Sequence, residues 1–339
     1  MGVKCEMGPL FPEVVVPIRY GVCLVLAMGV GLLLVVALAP AAQTGRTTVR
    51  TSPQAPPRVV ELDTLVREFV AAIPRRGSEA MNTPTAAEAA VFADALGAAR
   101  AGRVREARDV LGPLHFDVLE VRDAANGNRL LVLRERRLPD GSWPHGWGLY
   151  VLRPDPAGSL VVQVPHPLFD VSTPALGVAA FRRADAQSLF VAGTHRYANS
   201  DGSSDVAHSD DSMFEHATRA LVDSHSTVLQ FHGFAEDRFD RYGDAVVSAG
   251  EAPPSEQSVA VAAALRAAGF RTCLYDGTGC AELAATTNTQ GRWVRTVGAD
   301  FLHVEVVRHV RDDRRRRDAL ARAVVDAATG TRLPKQVFG

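Results

Sequence analysis

The sequence lacks the short signatures that assign many enzymes: it has no GxSxG elbow, no P-loop, no GxGxxG and no HExxH. Serine hydrolase, kinase and dinucleotide-binding readings therefore have no specific handle. An excess of either charge is also missing. The 37 basic and 38 acidic residues leave a formal net charge of −1, and the one basic run, 314–317, is flanked by Asp312, Asp313 and Asp318. That run reads as a solvated helix face, so no nucleic-acid partner is expected. Cysteine is scarce, with four in 339 residues. Cys5 and Cys23 lie in or before an apolar segment, whereas Cys273 and Cys280 bracket a Gly-containing loop. Two cysteines at that spacing argue against a Cys-based zinc site, and an oxidising compartment would let them close a small disulfide. No internal repeat of fixed period is visible.

What is present suits a globular protein: 47% hydrophobic and 22% charged residues, in a chain long enough for one large domain or two ordinary ones. Residues 21–39 carry no charge and reach the minimum length of a membrane-spanning helix. Lys4 and Arg19 precede them, which places the N-terminus in the cytoplasm and the body of the protein outside. The small residues of ALAPAAQ, 37–43, equally fit a cleavage site, so residues 1–40 read as a signal peptide or a membrane anchor. Either way an extracytoplasmic protein is expected. A Thr-, Pro- and Ala-rich linker follows at 41–58.

Residues 59–152 read as a separate unit of helices and β-hairpins, its strands divided by Asn-Gly and Asp-Gly turns. From 153 to 328 strands and helices alternate, with strands at 159–164, 188–192, 227–231, 245–248, 271–274 and 301–307. Helices fit 173–183, 210–222, 255–268 and 312–327, and a short tail closes the chain at 329–339. The alternation predicts an α/β fold with a mostly parallel sheet flanked by helices.

Chemistry concentrates at the predicted strand ends. LVVQVPHPLFD, 160–170, is a branched apolar run stopped by Pro165, with His166 and Asp170 just beyond. VLQFHG, 228–233, delivers His232 in the same way. Two strand-end histidines and an acid are the usual material of a catalytic zinc site, so His166, His232 and Asp170 are the expected ligands of one zinc ion. Asp170 also fits the cap of the helix that begins near Ser172. Glu305, in the apolar strand FLHVEV, is expensive to bury unless paired or working, and suits a general acid/base. Arg196 suits a carboxylate or oxyanion binder. His195, Asn199, Asp205 and His208 form a supporting or substrate-contact set, while His216, His225, His303 and His309 read as surface or packing residues.

The order of four segments, VPHPLFD, THRYAN, LQFHGF and LHVEVVRHVRDD, resembles the N-formylglutamate amidohydrolase group. More distantly it resembles the zinc carboxypeptidase and aspartoacylase-like hydrolases. The resemblance covers about 155–325. It implies zinc-dependent hydrolysis of an amide, with His166 and His232 as ligands, Arg196 as a carboxylate binder and Glu305 as catalytic acid/base. The carboxypeptidase pattern has a glutamate three residues after the first histidine, where this chain has Phe169. Asp170 follows one position later, so Asp205, His208 and His195 stay open as the third ligand. The formylglutamate histidine-serine-glycine turn is absent. The expectation is an exported hydrolase of a carboxylate-bearing amide or small peptide, a cell-wall peptide among the candidates. The alternatives are a metal-dependent phosphoesterase with two metals and a non-catalytic envelope module that binds a ligand.

Overall fold

The computed structural model describes residues 57–154, 156 and 158–330. The expected membrane or signal segment, nearly all of the linker and most of the tail lie outside them. Among the described residues no helix is long and apolar enough to cross a membrane. In chain order the elements are β1 (Arg58–Val60), α1 (Leu62–Ala72), α2 (Ala86–Arg100), α3 (Val104–Leu111), β2 (Phe116–Asp123), β3 (Arg129–Glu135) and β4 (Leu149–Leu152). Next come β5 (Leu160–Val164), α4 (Thr173–Arg183), β6 (Ser188–Val191), α5 (Met213–Leu221), β7 (Thr227–Phe234), α6 (Glu236–Phe239) and β8 (Ala245–Ser248). The last described elements are α7 (Glu256–Ala267), β9 (Thr272–Leu274), α8 (Thr289–Thr296), β10 (Asp300–Val307), α9 (Arg308–Asp312) and α10 (Arg314–Ala328).

Among the described residues ten strands form one sheet in the order β1-β2-β3-β4-β6-β5-β7-β10-β8-β9. Its centre, β6-β5-β7-β10, is parallel, as fully buried strands connected through helices require. The flanks are mixed, and of the nine pairings five are parallel and four antiparallel. The α/β fold with helices on both faces is thus as the alternation predicts. The boundary expected after residue 152 is not there. β4 pairs residue by residue with β6, Leu149 with Val191 and Leu152 with Ser188, so hydrogen bonds run across it. Residues 59–152 read as separate because their hairpins are locally complete, and nothing local shows that β4 supplies the edge β6 needs. The expected disulfide is present, joining Cys273 in β9 to Cys280 in the loop that follows.

Each central strand divides its side chains between two cores. Val162 and Val164 of β5, Leu229 and Phe231 of β7, and Leu302, Val304 and Val306 of β10 pack with α1, α4, α7 and α10. Their neighbours Val161, Val228 and Phe301 pack on the opposite face with α2, α3, α5 and α8. Period-2 alternation then carries Gln163, Gln230, His232, His303 and Glu305 onto this second face. Polarity therefore rises along it toward the carboxyl ends of the strands. On the first face Gly177 lets α4 lie close under the end of β5, because a Cβ there would sit 2.6 Å from Val164 Cγ2.

The two sequence regions are also tied by charge. Arg182, in the last turn of α4, donates to both oxygens of Asp123 at the end of β2, each at 2.7 Å, and to Glu61 and Asp63 at the start of α1. Burial alone would raise the Asp123 pKa, but hydrogen bonds from Arg182 and the backbone outweigh it and hold the carboxyl low. A depressed carboxylate stabilises the fold above the ordinary Asp value and loses that contribution as the pH falls through its own lower value. Replacing Arg182 by methionine is expected to cost about 3 kcal/mol at neutral pH, since it leaves Asp123 buried without its cation. Urea melts should show the gap to wild type closing as the pH is lowered through the folded-state value of Asp123. A gap that stays constant down to that range would show that the Asp123 contact is not its source.

Candidate metal centre

β5 stops at Val164 because Pro165 and Pro167 cannot donate to a ladder. The chain then makes a tight turn in which Asp170 N–H donates to His166 O at 2.8 Å and Thr173 Oγ1 donates to Asp170 O at 2.6 Å. Helix α4 starts after Ser172, and no side chain caps its first turn. The Asp170 carboxylate is therefore not a helix cap. Its Oδ2 lies 3.3 Å from His166 Nδ1 and 3.3 Å from Nδ1 of His232, which projects from β7 next door.

Both rings are held from behind. His166 Nε2 donates to Asp205 Oδ1 at 2.8 Å, and His232 Nε2 donates to Gln230 Oε1 at 2.8 Å. With each neutral ring spending its one proton on Nε2, three acceptors, two Nδ1 atoms and a carboxylate oxygen, meet with no hydrogen between them. Such a group needs a cation. The 3.3 Å separations are longer than a good N–H···O bond. They match the roughly 3.3–3.4 Å edge of a tetrahedron with zinc-to-ligand bonds of about 2.0–2.1 Å. The residues present thus fit a zinc ion.

Electrostatics follow the same geometry. Burial would lower the His166 pKa, but Asp170 and Asp205 outweigh it and hold the ring above its ordinary value. A proton there is the smallest cation that relieves the cluster. Burial would raise Asp170, and its contacts with His166 and His232 hold it well below the carboxylate range instead. Burial dominates at His232, which is lowered to about 4.

Strand β10 adds a second pair beside the first three groups. Register sets Glu305 opposite His232 and His303 opposite Gln230. The rings of His232 and His303 are 4.6 Å apart, and His303 Nε2 lies 3.9 Å from Glu305 Oε1. Glu305 Oε2 and His303 Nδ1 are buried without a hydrogen-bond partner. Burial, then repulsion from Asp170, pushes the Glu305 pKa well above the usual range, while burial pushes His303 well below its own. His303, read from sequence as a surface or packing residue, is in the site.

The remaining expected residues are spread around this centre. Asp205 lies on the far side of His166 and also pairs with Arg196 and, at 3.2 Å, with His208. Arg196 thus has Nη2 committed and keeps a buried Nε without a partner, its guanidinium 5.2 Å from the rings of both Phe169 and Tyr197. His195 accepts from Tyr197 N–H at 3.0 Å through Nδ1 and sets its ring edge-on to Phe169 at 5.7 Å. Asn199 is used elsewhere: its amide exchanges hydrogen bonds with Met81 N and O at 3.1 and 2.7 Å. Of the third-ligand candidates only Asp170 faces both rings.

Sequence reasoning missed Gln230, Gln163 and Arg311. The glutamines were signalled by polar residues at inward positions of apolar strands. Arg311 gave no local signal. Its buried guanidinium donates to Val306 O at 2.9 Å, Phe234 O at 3.2 Å and Val171 O, pinning the Asp170 turn to the ends of β7 and β10. Gly233 makes room for it.

No protein-family model and no curated protein matches the chain. Among solved structures it is similar to an N-formylglutamate amidohydrolase from Ralstonia eutropha JMP134, at 13% identity and a TM-score of 0.33, over 54% of this chain and 95% of that one. A metallo-carboxypeptidase from Burkholderia cenocepacia gives 16% and 0.33, over 69% and 67%. An aspartoacylase family protein from Mesorhizobium loti gives 13% and 0.37, over 59% and 71%. These are the groups that the four sequence segments resemble, at a distant level. At such scores they say nothing about activity, which the side chains must carry.

A Cβ at Gly233 would lie 2.3 Å from Arg311 Cζ. Gly233→Ala is therefore expected to destabilise the protein by about 2 kcal/mol, the cost of overpacking. The same change in an Arg311→Ala background should cost less, since the clash is gone. Equal costs in the two backgrounds, measured by urea melts, would show that the clash is not the cause.

Proposed function

We propose that the chain is a hydrolase of amide or peptide bonds that uses one zinc ion held by His166 Nδ1, His232 Nδ1 and Asp170 Oδ2. The observation that carries this reading is the convergence of two imidazole Nδ1 atoms on one buried carboxylate oxygen, each at 3.3 Å, the spacing of zinc ligands. Bound there, the ion would lower the pKa of a water toward neutrality and polarise the substrate carbonyl. The protein's own groups supply the rest. Asp205 and Gln230 fix the two rings from behind, as ligand histidines require. Glu305 is the proton carrier: its Oε2 has no other partner, and it takes a proton from the attacking water and hands it to the leaving nitrogen. Arg196 retains an unpartnered Nε–H for a substrate oxygen, which supports a carboxylate-bearing substrate.

The reading extends to an exported enzyme acting on small peptides, of the kind found in cell walls. The uncharged segment 21–39 and the Cys273–Cys280 disulfide support it. A phosphoesterase with two metals is disfavoured. The second group, His232 with His303 and Glu305, shares His232 with the first. The Nε2 of that ring is spent on Gln230, and one Nδ1 cannot hold two ions.

Elemental analysis of the zinc-supplied full chain should give about one zinc, lost in His166→Ala and in His232→Ala. Glu305→Gln should keep the metal and lose about a hundredfold or more in kcat on amide substrates. Folded wild type that takes up no metal would overturn the reading and leave a ligand-binding module. A second expectation concerns pH. Because the His166 pKa is raised, the metal must displace a proton below it. Chelator competition should show zinc affinity rising about tenfold per pH unit up to that pKa and levelling above it. An affinity flat across the range would remove His166 from the ligand set.

A further inference from the structure

Behind His232, Gln230 belongs to a longer run of buried side-chain amides. Gln163 of β5, Gln230 of β7 and Gln290 of α8 are completely buried, and Asn288, the cap of α8, is nearly so. Gln163 Nε2 donates to Thr218 Oγ1 at 2.8 Å, and Gln230 Nε2 donates to the Oε1 atoms of Gln163 and Gln290 at 3.0 and 3.2 Å. The other end of Gln230, Oε1, receives Asn288 Nδ2 at 2.6 Å and His232 Nε2 at 2.8 Å.

The direction of every bond in this network follows from its ends, because a backbone carbonyl only accepts and a backbone N–H only donates. Thr218 spends its one hydroxyl proton on Phe214 O at 2.8 Å, so it can only accept from Gln163. Gln163 therefore turns Nε2 to Thr218 and Oε1 to Gln230. Gln290 Nε2 is spent on Val206 O at 2.9 Å, so Gln290 too offers Oε1. Asn288 Oδ1 accepts from Gly291 N–H at 2.8 Å, so Asn288 offers Nδ2. Three independent anchors agree. Turned the other way, Gln230 would set oxygen against oxygen at both glutamines and N–H against N–H at Asn288.

Gln230 must therefore point its carbonyl at His232, and a carbonyl demands a proton on Nε2. A neutral imidazole has only one, so Nδ1 is left as a lone pair facing Asp170. We infer that Gln230 is a positioning residue that locks His232 in the Nε2–H tautomer, with the lock set by Phe214 O, Val206 O and Gly291 N–H through the buried amides. Without it, the Asp170 carboxylate 3.3 Å away would draw that proton to Nδ1 and close the ligand position. An amide suits this place because an extra carboxylate in the dry interior would go uncompensated. The use of the tautomer rests on the proposed zinc site; its existence does not.

Histidine-labelled, metal-free full chain would be examined by long-range 1H–15N NMR, with His232→Asn to assign the ring. Wild type should show His232 as a single Nε2–H tautomer. Gln230→Met should move it to Nδ1–H and weaken zinc binding about ten- to a hundredfold. Gln230→Glu keeps the acceptor, so it should keep the tautomer although it buries a charge and loses two donors. A role in packing alone predicts the reverse order, with methionine the milder change. His232 found as Nδ1–H in wild type, or Nε2–H with wild-type zinc affinity in Gln230→Met, would overturn the inference. Wild type with the expected tautomer and no affinity for zinc would sink the metal reading and leave this one standing.

Discussion

The structure turns on one electrostatic demand: Asp170 Oδ2 faces two imidazole nitrogens, and none of the three brings a proton of its own. Buried acceptors in that position repel one another, and a protein tolerates them only around a positive charge. Everything near them holds the demand in place. Pro165 ends β5 so that His166 stands just past the carboxyl end of this central strand, and Arg311 ties the Asp170 turn to β7 and β10. Asp205 and Gln230 each take a ring proton away from the centre.

The two rings are oriented by partners of different charge, and their protonation differs accordingly. His166 leans on a carboxylate that itself answers to Arg196 and His208, and its pKa is raised. His232 leans on a neutral amide and is lowered. A proton is thereby held more tightly at the first ring than at the second.

Much of this was legible in the sequence. The strand-end positions of His166 and His232 followed from apolar runs cut short by proline and glycine, and Glu305 stood out as an acid in an inward strand position. The alternation in LVVQV, VLQFHG and FLHVEV also holds the second face in plain view, yet nothing local distinguishes His303 from a packing residue. Its partners lie on other strands, and cross-strand register is not a local property. The partner of Asn199, Met81, is likewise far off in sequence. Arg311 was invisible because its partners are backbone carbonyls, which every sequence has. The boundary at 152 failed because period and turn chemistry describe hairpins, not which strand lies beside them.

The pairing of β4 with β6 also bears on how the molecule can be divided. A fragment starting after β4 would keep every candidate ligand and would still leave Ser188–Val191 as a bare edge, with four side chains that are fully buried in the whole protein. Short, apolar and uncharged, that strand has none of the lysines, prolines or bulges that keep natural edges from pairing with other chains. The first hundred described residues thus act as the cover over an edge that the half carrying the candidate ligands would otherwise leave bare.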